Sequence, residues 1–315
     1  MIIRVGTRGS KLALKQTEIF IEKLKNELKK LGEKEPEFEI IKIKTKGDKI
    51  LESPLSKIPG KGFFVKEIEE ELAEGKIDFA VHSLKDVPTE IPENLIISAF
   101  LKRDPPGDVI IGMTKQEIEF RSEKSKVKIG TSSLRREIQL KNMFGENIQL
   151  IPIRGNLDTR IRKVERGECD AIVVAYCGVI RLGLEDKISD YLDPRGFLYA
   201  PGQGIIAVET RKDNKLAVEL SELVDDKESR FLGTLEREMV RKIGGGCNSP
   251  FGIFSEIKKE LPRDKDVFLF LKFCAFEKNI SYENHFKLND FDPSGISEYV
   301  REICEKVERD IGRIS

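Results

Sequence analysis

The residues best suited to chemistry fall in three kinds of stretch. In Asp78–Pro88 the carboxylate of Asp86 follows His82, Ser83 and Lys85, directly behind a short apolar run. A carboxylate beside a lysine and a serine can transfer protons or stabilise a developing cation; the same residues also suit a surface ion pair at a turn. Arginines recur beside Ser, Thr or Asn: Arg8 with Ser10, Arg135 and Arg136 behind Thr131, Ser132 and Ser133, Arg154 and Arg160 around Gly155-Asn156, and Arg181. Guanidinium forks in such company fit carboxylate or phosphate ligands. Finally, Cys247 ends a run of three glycines, Gly244–Gly246, which lets backbone approach closely and exposes the sulfur. Backbone N–H groups there lower a thiol's pKa and make it nucleophilic; the plainer alternative is a small residue in a tight turn.

These residues need elements to place them. Ile77–Val81 reads as a buried strand, and Pro88 ends its pairing, so Ser83–Asp86 falls at the strand's carboxyl end, where open α/β sheets bind ligands. Ile2–Val5 is a strand, and a helix follows with apolar positions at Leu14, Thr17, Ile21, Leu24, Leu28 and Leu31, Ser10 at its N-cap and Gly32 at C′. Arg8 and Ser10 then sit at a helix N-terminus, an anion cradle. Glu37–Ile43 is a strand, and Lys44–Gly62 a long polar connection whose Lys57 and Lys61 either close over an acidic ligand or stay solvated.

The strand Leu95–Leu101 leads to Lys102–Asp108, where two prolines and a glycine break any element and mark a hinge. Beyond it strand, polar loop and helix recur: Val127–Gly130 with a helix to Phe144, Ile148–Ile153 with a helix to Arg166, and Asp170–Ala175 running into Tyr176–Gly183. From Arg121 to Arg166 there are twelve Lys/Arg against five Asp/Glu. Helix N-termini ordinarily favour acidic residues, so arginines there point to an anionic ligand. Tyr199–Gly204 marks a second crossover before the strand Ile205–Glu209. Helices follow at Leu216–Val224 and Glu228–Ile243, then strands at Phe251–Ile257, Val267–Phe276 and Ser281–Phe286 and a helix at Ser294–Ile311, a small α+β unit.

Fifty-five Lys/Arg balance fifty-five Asp/Glu across 315 residues, so no global basic field for nucleic acid exists and any anion site is local. No apolar run approaches membrane-spanning length, and the N-terminus enters a strand at once, which predicts no signal peptide. Five cysteines without Cys-x-x-Cys spacing and only two histidines argue for reduced thiols, a cytoplasmic location and no metal site. Cys169, Cys177, Cys274 and Cys304 lie in apolar contexts and read as packing.

Taken together, Gly6–Ser10 with Leu12, Ala13 and Gln16, Lys61–Glu67, Val81–Pro88, Gly130–Arg136, Arg154–Asn156 with Thr159 and Arg160, Ala200–Gly204 and Gly244–Cys247 closely resemble the porphobilinogen deaminases, also called hydroxymethylbilane synthases. They run in family order over roughly the first 250 residues, whereas 253–315 match only in general character. The resemblance implies an α/β fold of two lobes like periplasmic binding proteins, 1–102 with 203–222 and 103–202, and a small α+β domain, 223–315. It implies a monomer with a dipyrromethane cofactor held through a thioether to Cys247, no metal, and porphobilinogen as substrate. Four molecules are joined head to tail, each losing ammonia, and water releases linear hydroxymethylbilane. Loss of ammonia leaves an electron-poor azafulvene that the free α-carbon of the terminal ring attacks.

On that resemblance Asp86 is the catalytic residue, moving protons and stabilising charge on the pyrrole nitrogen. Cofactor contacts fall to Ser83, Lys85, Asp86, Thr131, Ser132, Ser133, Arg135, Arg136, Arg154 and Arg160. Substrate contacts fall to Arg8, Ser10, Lys57, Arg154, Arg181 and Gln203. His82 faces opposite to Ser83 by strand alternation and reads as structural. A non-enzymatic polycarboxylate- or phosphate-binding protein on the same two-lobed fold also explains the arginines and hinge, but gives the Gly-Gly-Gly-Cys loop no purpose. A nucleic-acid-binding module is disfavoured by neutral charge and few aromatics.

Overall fold

A computed structural model describes residues 2–49, 65–244, 250–259, 267–288 and 296–314. The first sheet takes β1 (Ile2–Arg8), β2 (Glu37–Ile43), β3 (Phe79–Ser83), β4 (Leu95–Phe100) and, from far along the chain, β10 (Ile206–Arg211), in the order β2-β1-β3-β10-β4. Helix α1 (Lys11–Lys30) starts where the Ser10 side chain accepts from the Ala13 N–H and ends before Gly32, whose φ is 72°. Its buried stripe of Phe20, Leu24 and Leu28 packs on Val5, Phe79 and Val81, each large side chain contributing about 1.5–3 kcal/mol. The polar connection after β2 contains a short helix, α2 (Lys46–Lys49), where the sequence showed only loop. The opposite face is covered by α3 (Lys66–Ala73), through Ile68 and Leu72 on Ile77, Ala80 and Leu95.

The second sheet repeats the plan. It orders β7 (Ile148–Ile151), β6 (Val127–Gly130), β8 (Ala171–Ala175), β5 (Asp108–Ile111) and β9 (Ile188–Leu192) as β7-β6-β8-β5-β9. In both sheets three parallel strands adjoin one antiparallel strand that has just crossed over from the other lobe, β10 in the first and β5 in the second. Helices α4 (Lys115–Ser122), α5 (Leu134–Phe144), α6 (Leu157–Glu165) and α7 (Tyr176–Arg181) belong to this lobe. Strand β5 is absent from the sequence reading, and its pairing with β8 begins at Asp108, the last residue of the expected hinge. Also absent from the sequence reading are α4, closed by a capping box between Thr114 and Glu117, and the polar strand β9.

The two crossings touch. Asp104 N–H donates to the Gly204 carbonyl at 3.1 Å, and Leu101 N–H to Ile206 at 2.9 Å. After α8 (Lys215–Glu222), helix α9 (Lys227–Met239) gives way to a wider π turn over Val240–Gly244, at the glycine run, rather than continuing as one α-helix to Ile243. Strands β11 (Phe251–Lys259), β12 (Val267–Ala275) and β13 (Ile280–Leu288) form an antiparallel third sheet. Its core also takes residues from α9, the π turn, α10 (Ile296–Ile314) and, at Leu198 and Tyr199, the second crossover. An isolated bridge from Tyr199 to Ile253 ties the second crossover to this sheet.

Candidate active site

Strand β3 ends at Ser83 and the chain tightens into a single 3₁₀ turn over Leu84–Asp86. Leu84 anchors the turn: its side chain is 1% exposed, and its N–H donates to Ile205 at 2.9 Å. With Leu84 held inward, Asp86 is left exposed and Lys85 half-buried. Ser83 Oγ accepts from the buried Gln16 Nε2 at 2.7 Å, and Lys85 Nζ donates to Gln203 Oε1 at 3.4 Å. Dense surroundings push the Lys85 pKa down, opposed by Cys177 and Asp86 and reinforced by Arg136. A lysine so placed gives up its proton more readily than one in water.

The second lobe presents its arginines at the first turn of α5. Arg135 and Arg136 are both buried, and both reach Asp108, the first residue of β5. Asp108 Oδ2 accepts from Arg135 Nη2 at 3.0 Å and Arg136 Nε at 3.1 Å; Oδ1 accepts from Arg136 Nη2 at 2.8 Å and Gln203 Nε2 at 2.9 Å. Arg135 Nη1 also donates to the Leu198 carbonyl and Arg136 Nη1 to Val173 at 3.0 Å. Burial works against the Asp108 charge, but Arg136 and Arg135 overcome it and hold the carboxyl far below its usual range.

Arg160, on α6, donates Nε to the Gly155 carbonyl at 2.8 Å and keeps part of its surface open. Its guanidinium is nevertheless crowded by protein; burial first, then Arg136 and Arg154, pull its pKa down to about 10 against the pull of Asp86. Asp86 thus acts on Lys85 from its own lobe and on Arg160 from the other, and Arg136 acts on both. The Lys85-Asp86 turn and the arginine cluster therefore share one electrostatic environment.

The remaining sequence candidates divide. Arg154 is half-buried in the loop before α6, and Arg8 half-buried at the end of β1. Ser10 caps α1. Thr131 is 1% exposed and its Oγ1 accepts from the Ser133 N–H; Ser132 Oγ donates to the Ile153 carbonyl at 2.8 Å, so these hydroxyls brace the loop. Ser133 occupies the N-cap of α5 without a side-chain capping bond. Arg181 is engaged at the crossovers, with Nε on Asp104 at 2.8 Å and Nη2 on the Gly204 carbonyl at 2.6 Å. Gln203 is fully buried, its amide spanning Lys85, Asp108 and the Pro106 and Gly107 carbonyls. His82 is buried with Nε2 3.3 Å from Glu209 Oε2. Lys57, Lys61 and Cys247 lie outside the described residues. Cys169, Cys177 and Cys304 are buried and Cys274 half-buried.

Sequence reasoning missed Asp108 and the support Gln16 gives Ser83. Asp108 stands 27 and 28 residues from its two arginines, a separation without local signal. Among the described residues no group of three or more His, Cys, Asp or Glu is placed to hold a metal, and no helix is long and apolar enough to cross a membrane.

Two α/β lobes of like topology are joined by paired crossovers, and the Lys85-Asp86 turn of one is linked through Gln203 and Asp108 to the arginine pair of the other. The family model described as "Porphobilinogen deaminase, dipyromethane cofactor binding domain" matches residues 3–219. A porphobilinogen deaminase of Natranaerobius thermophilus is 45% identical over 258 residues, covering 82% of this chain and 80% of the relative. That of Syntrophomonas wolfei is 44% identical over 256 residues, covering 81% of each. Among solved structures, the unliganded L-cystine solute receptor of Neisseria gonorrhoeae aligns with a TM-score of 0.37 and 18% identity over 78% of this chain and 94% of that one. The chain belongs to the porphobilinogen deaminase family. It is a transferase of tetrapyrrole synthesis that works with a dipyrromethane cofactor.

Proposed function

We propose that the chain joins four porphobilinogen molecules head to tail with loss of ammonia and releases linear hydroxymethylbilane, with Asp86 as the proton-transferring group. The observation that carries this reading is the hydrogen-bonded link from Lys85 through Gln203 and Asp108 to Arg135 and Arg136, which sets the Asp86 turn of one lobe beside the arginine cluster of the other. Asp86 is exposed at the tip of its turn and so open to substrate. Its carboxyl donates a proton to the leaving aminomethyl nitrogen as the C–N bond breaks and ammonia departs. The carboxylate holds the pyrrole N–H by a charge-assisted hydrogen bond as positive charge develops, and it takes back the proton released from the attacking ring carbon once the new C–C bond has formed. Ser83, held by Gln16, and Lys85, held by Gln203, border it.

The residues fit a dipyrrole whose rings each bear an acetate and a propionate. Lys85, Arg135, Arg136, Arg154 and Arg160 supply the cations of its cradle, and Arg135 and Arg136 share the single Asp108 carboxylate. Ser83, Ser132 and Ser133 complete this cradle, and the buried Thr131 braces its loop. When bound, the dipyrromethane supplies the nucleophilic ring carbon for elongation, and Cys247, beyond the π turn that ends α9, is its attachment point. Arg8, Ser10, Lys57 and Arg154 serve the incoming substrate, and Arg181 and Gln203, buried and engaged at the crossovers, support that site by holding Asp104, Lys85 and Asp108 in place.

We further propose the division 1–102 with 203–222, 103–202 and 223–315, a monomer, no nucleic-acid partner and a cytoplasmic location. The return of β10 to the first sheet supports the first point, the family resemblance the second, the balanced charge the third and the cysteine spacing the last. Incubation with porphobilinogen, followed by Ehrlich's reagent and ammonium release, tests the reaction. Consumption with a linear tetrapyrrole product is expected; intact porphobilinogen in the presence of correctly loaded protein contradicts it.

A further inference from the structure

Asp108 is the most heavily engaged carboxylate facing the cluster, and the reaction as proposed gives it no task. Its two oxygens accept four hydrogen bonds, from Arg135, Arg136 twice, and Gln203, which fills the capacity of a carboxylate. It is 1% exposed, so it is closed to any ligand. The grip on Arg136 is side-on through Nε and Nη2, a geometry that fixes the plane of the guanidinium as well as its charge. The Leu198 and Val173 carbonyls pin one further nitrogen of each arginine. Of five N–H donors apiece, Arg136 gives three to these partners and Arg135 two, so both keep donors for a second anion. Two cations share one anion, and the pair remains one negative charge short.

We propose that Asp108 is a positioning residue that fixes the Arg135 and Arg136 forks in the orientation that receives the carboxylates of the resident dipyrrole. The inference rests on the reading of those two arginines given above. Without the Asp108 charge the guanidiniums repel each other and lose their common reference. Because β5 opens at Asp108 directly after the first crossover, and Gln203 joins it from the second, the same carboxylate keys the arginine pair to both crossings. Lys85 is linked in turn through Gln203 Oε1.

The test compares wild type, Asp108→Asn and Asp108→Glu as full-length chains prepared without the dipyrrole. Each is incubated with porphobilinogen, and covalent loading is followed by intact mass spectrometry while circular dichroism monitors the melt. Asp108→Asn should melt cooperatively and load about 10- to 100-fold more slowly, the loss of hydrogen bonds to charged groups. Asp108→Glu, which keeps the charge, should recover part of the rate. A purely structural Asp108 would lower the melting temperature of Asp108→Asn and leave the loading rate of folded protein at the wild-type value, which overturns the proposal. If Asp108→Asn shows no cooperative melt, Asp108→Glu decides: loading severalfold below wild type supports the role, and wild-type loading overturns it. Wild type that never loads overturns the functional reading itself, and this inference with it.

Discussion

Arg103 and Glu236 meet in a two-pronged ion pair, Nη1 to Oε1 at 2.7 Å and Nη2 to Oε2 at 3.1 Å, with the carboxylate wholly buried. Arg103 follows β4 at the start of the first crossover, while Glu236 lies on α9 against the third sheet's core. Arg103 also donates Nε to the Gln203 carbonyl at 2.9 Å and lies over the Tyr199 ring. Glu236 accepts in addition from Gly202 N–H, Tyr199 OH and Ser255 Oγ. One buried pair thus joins both crossovers to the third sheet. Burial works against the Arg103 charge, yet Glu236 raises its pKa above the usual guanidinium value.

Removing one partner of such a pair strands the other charge. Arg103→Ala should cost about 3–5 kcal/mol of stability. Urea denaturation checks this, and a loss below about 1 kcal/mol, the range of an exposed pair, contradicts it. Arg103→Met combined with Glu236→Gln should cost less than the two single changes summed, since neither charge is then left alone.

Gly204 has φ of 92°, and a Cβ there would meet the Asp104 carbonyl where the crossings touch. Gly204→Ala should destabilise by about 1–3 kcal/mol through backbone strain and displace the hydrogen bonds that Arg181 and Asp104 make to Gly204. A melting temperature equal to wild type would show that the crossings do not need this close approach.

Asp86 is exposed, so its removal should spare the fold and strike the chemistry. Asp86→Ala should lower turnover by about 10²–10⁴-fold, the usual contribution of a positioned acid–base group. Near-normal porphobilinogen consumption by the folded variant contradicts the assignment.

The strands and helices that position the site were largely legible. Alternation and 3.6-residue stripes give β1, β2 and α1, and the strand-loop-helix repeats give β6 with α5 and β7 with α6. What escaped has physical reasons. Helix α4 buries Ile118 alone, so no apolar stripe announces it. Strand β9 includes Asp190, whose charge is satisfied by the Lys115 N–H, and its polarity hides it. Strand β5 is four residues long, lies behind Pro105-Pro106-Gly107 and opens on a charge that only distant arginines make tolerable. The arginines themselves stood out by type and company. Their shared anchor did not, because tertiary pairing leaves no trace in local spacing.

Glu69 on α3 supplies a pH test. Burial foremost, then Glu209 and Glu70, against the pull of His82, pushes its carboxyl from the ordinary 4.5 up to about 7. Between those values the folded chain retains a proton that the unfolded chain has released, so stability from this group falls as pH rises through that window. Denaturation midpoints measured across it should decline toward the alkaline end, and Glu69→Gln should flatten that decline. An equal slope in both proteins contradicts the assignment.

The measurement closest to the central claim is the intact mass of the purified chain before and after incubation with porphobilinogen. The account predicts the polypeptide plus one dipyrrole, lost in Cys247→Ser. A mass equal to the bare polypeptide after incubation, or an adduct that survives Cys247→Ser, would contradict it.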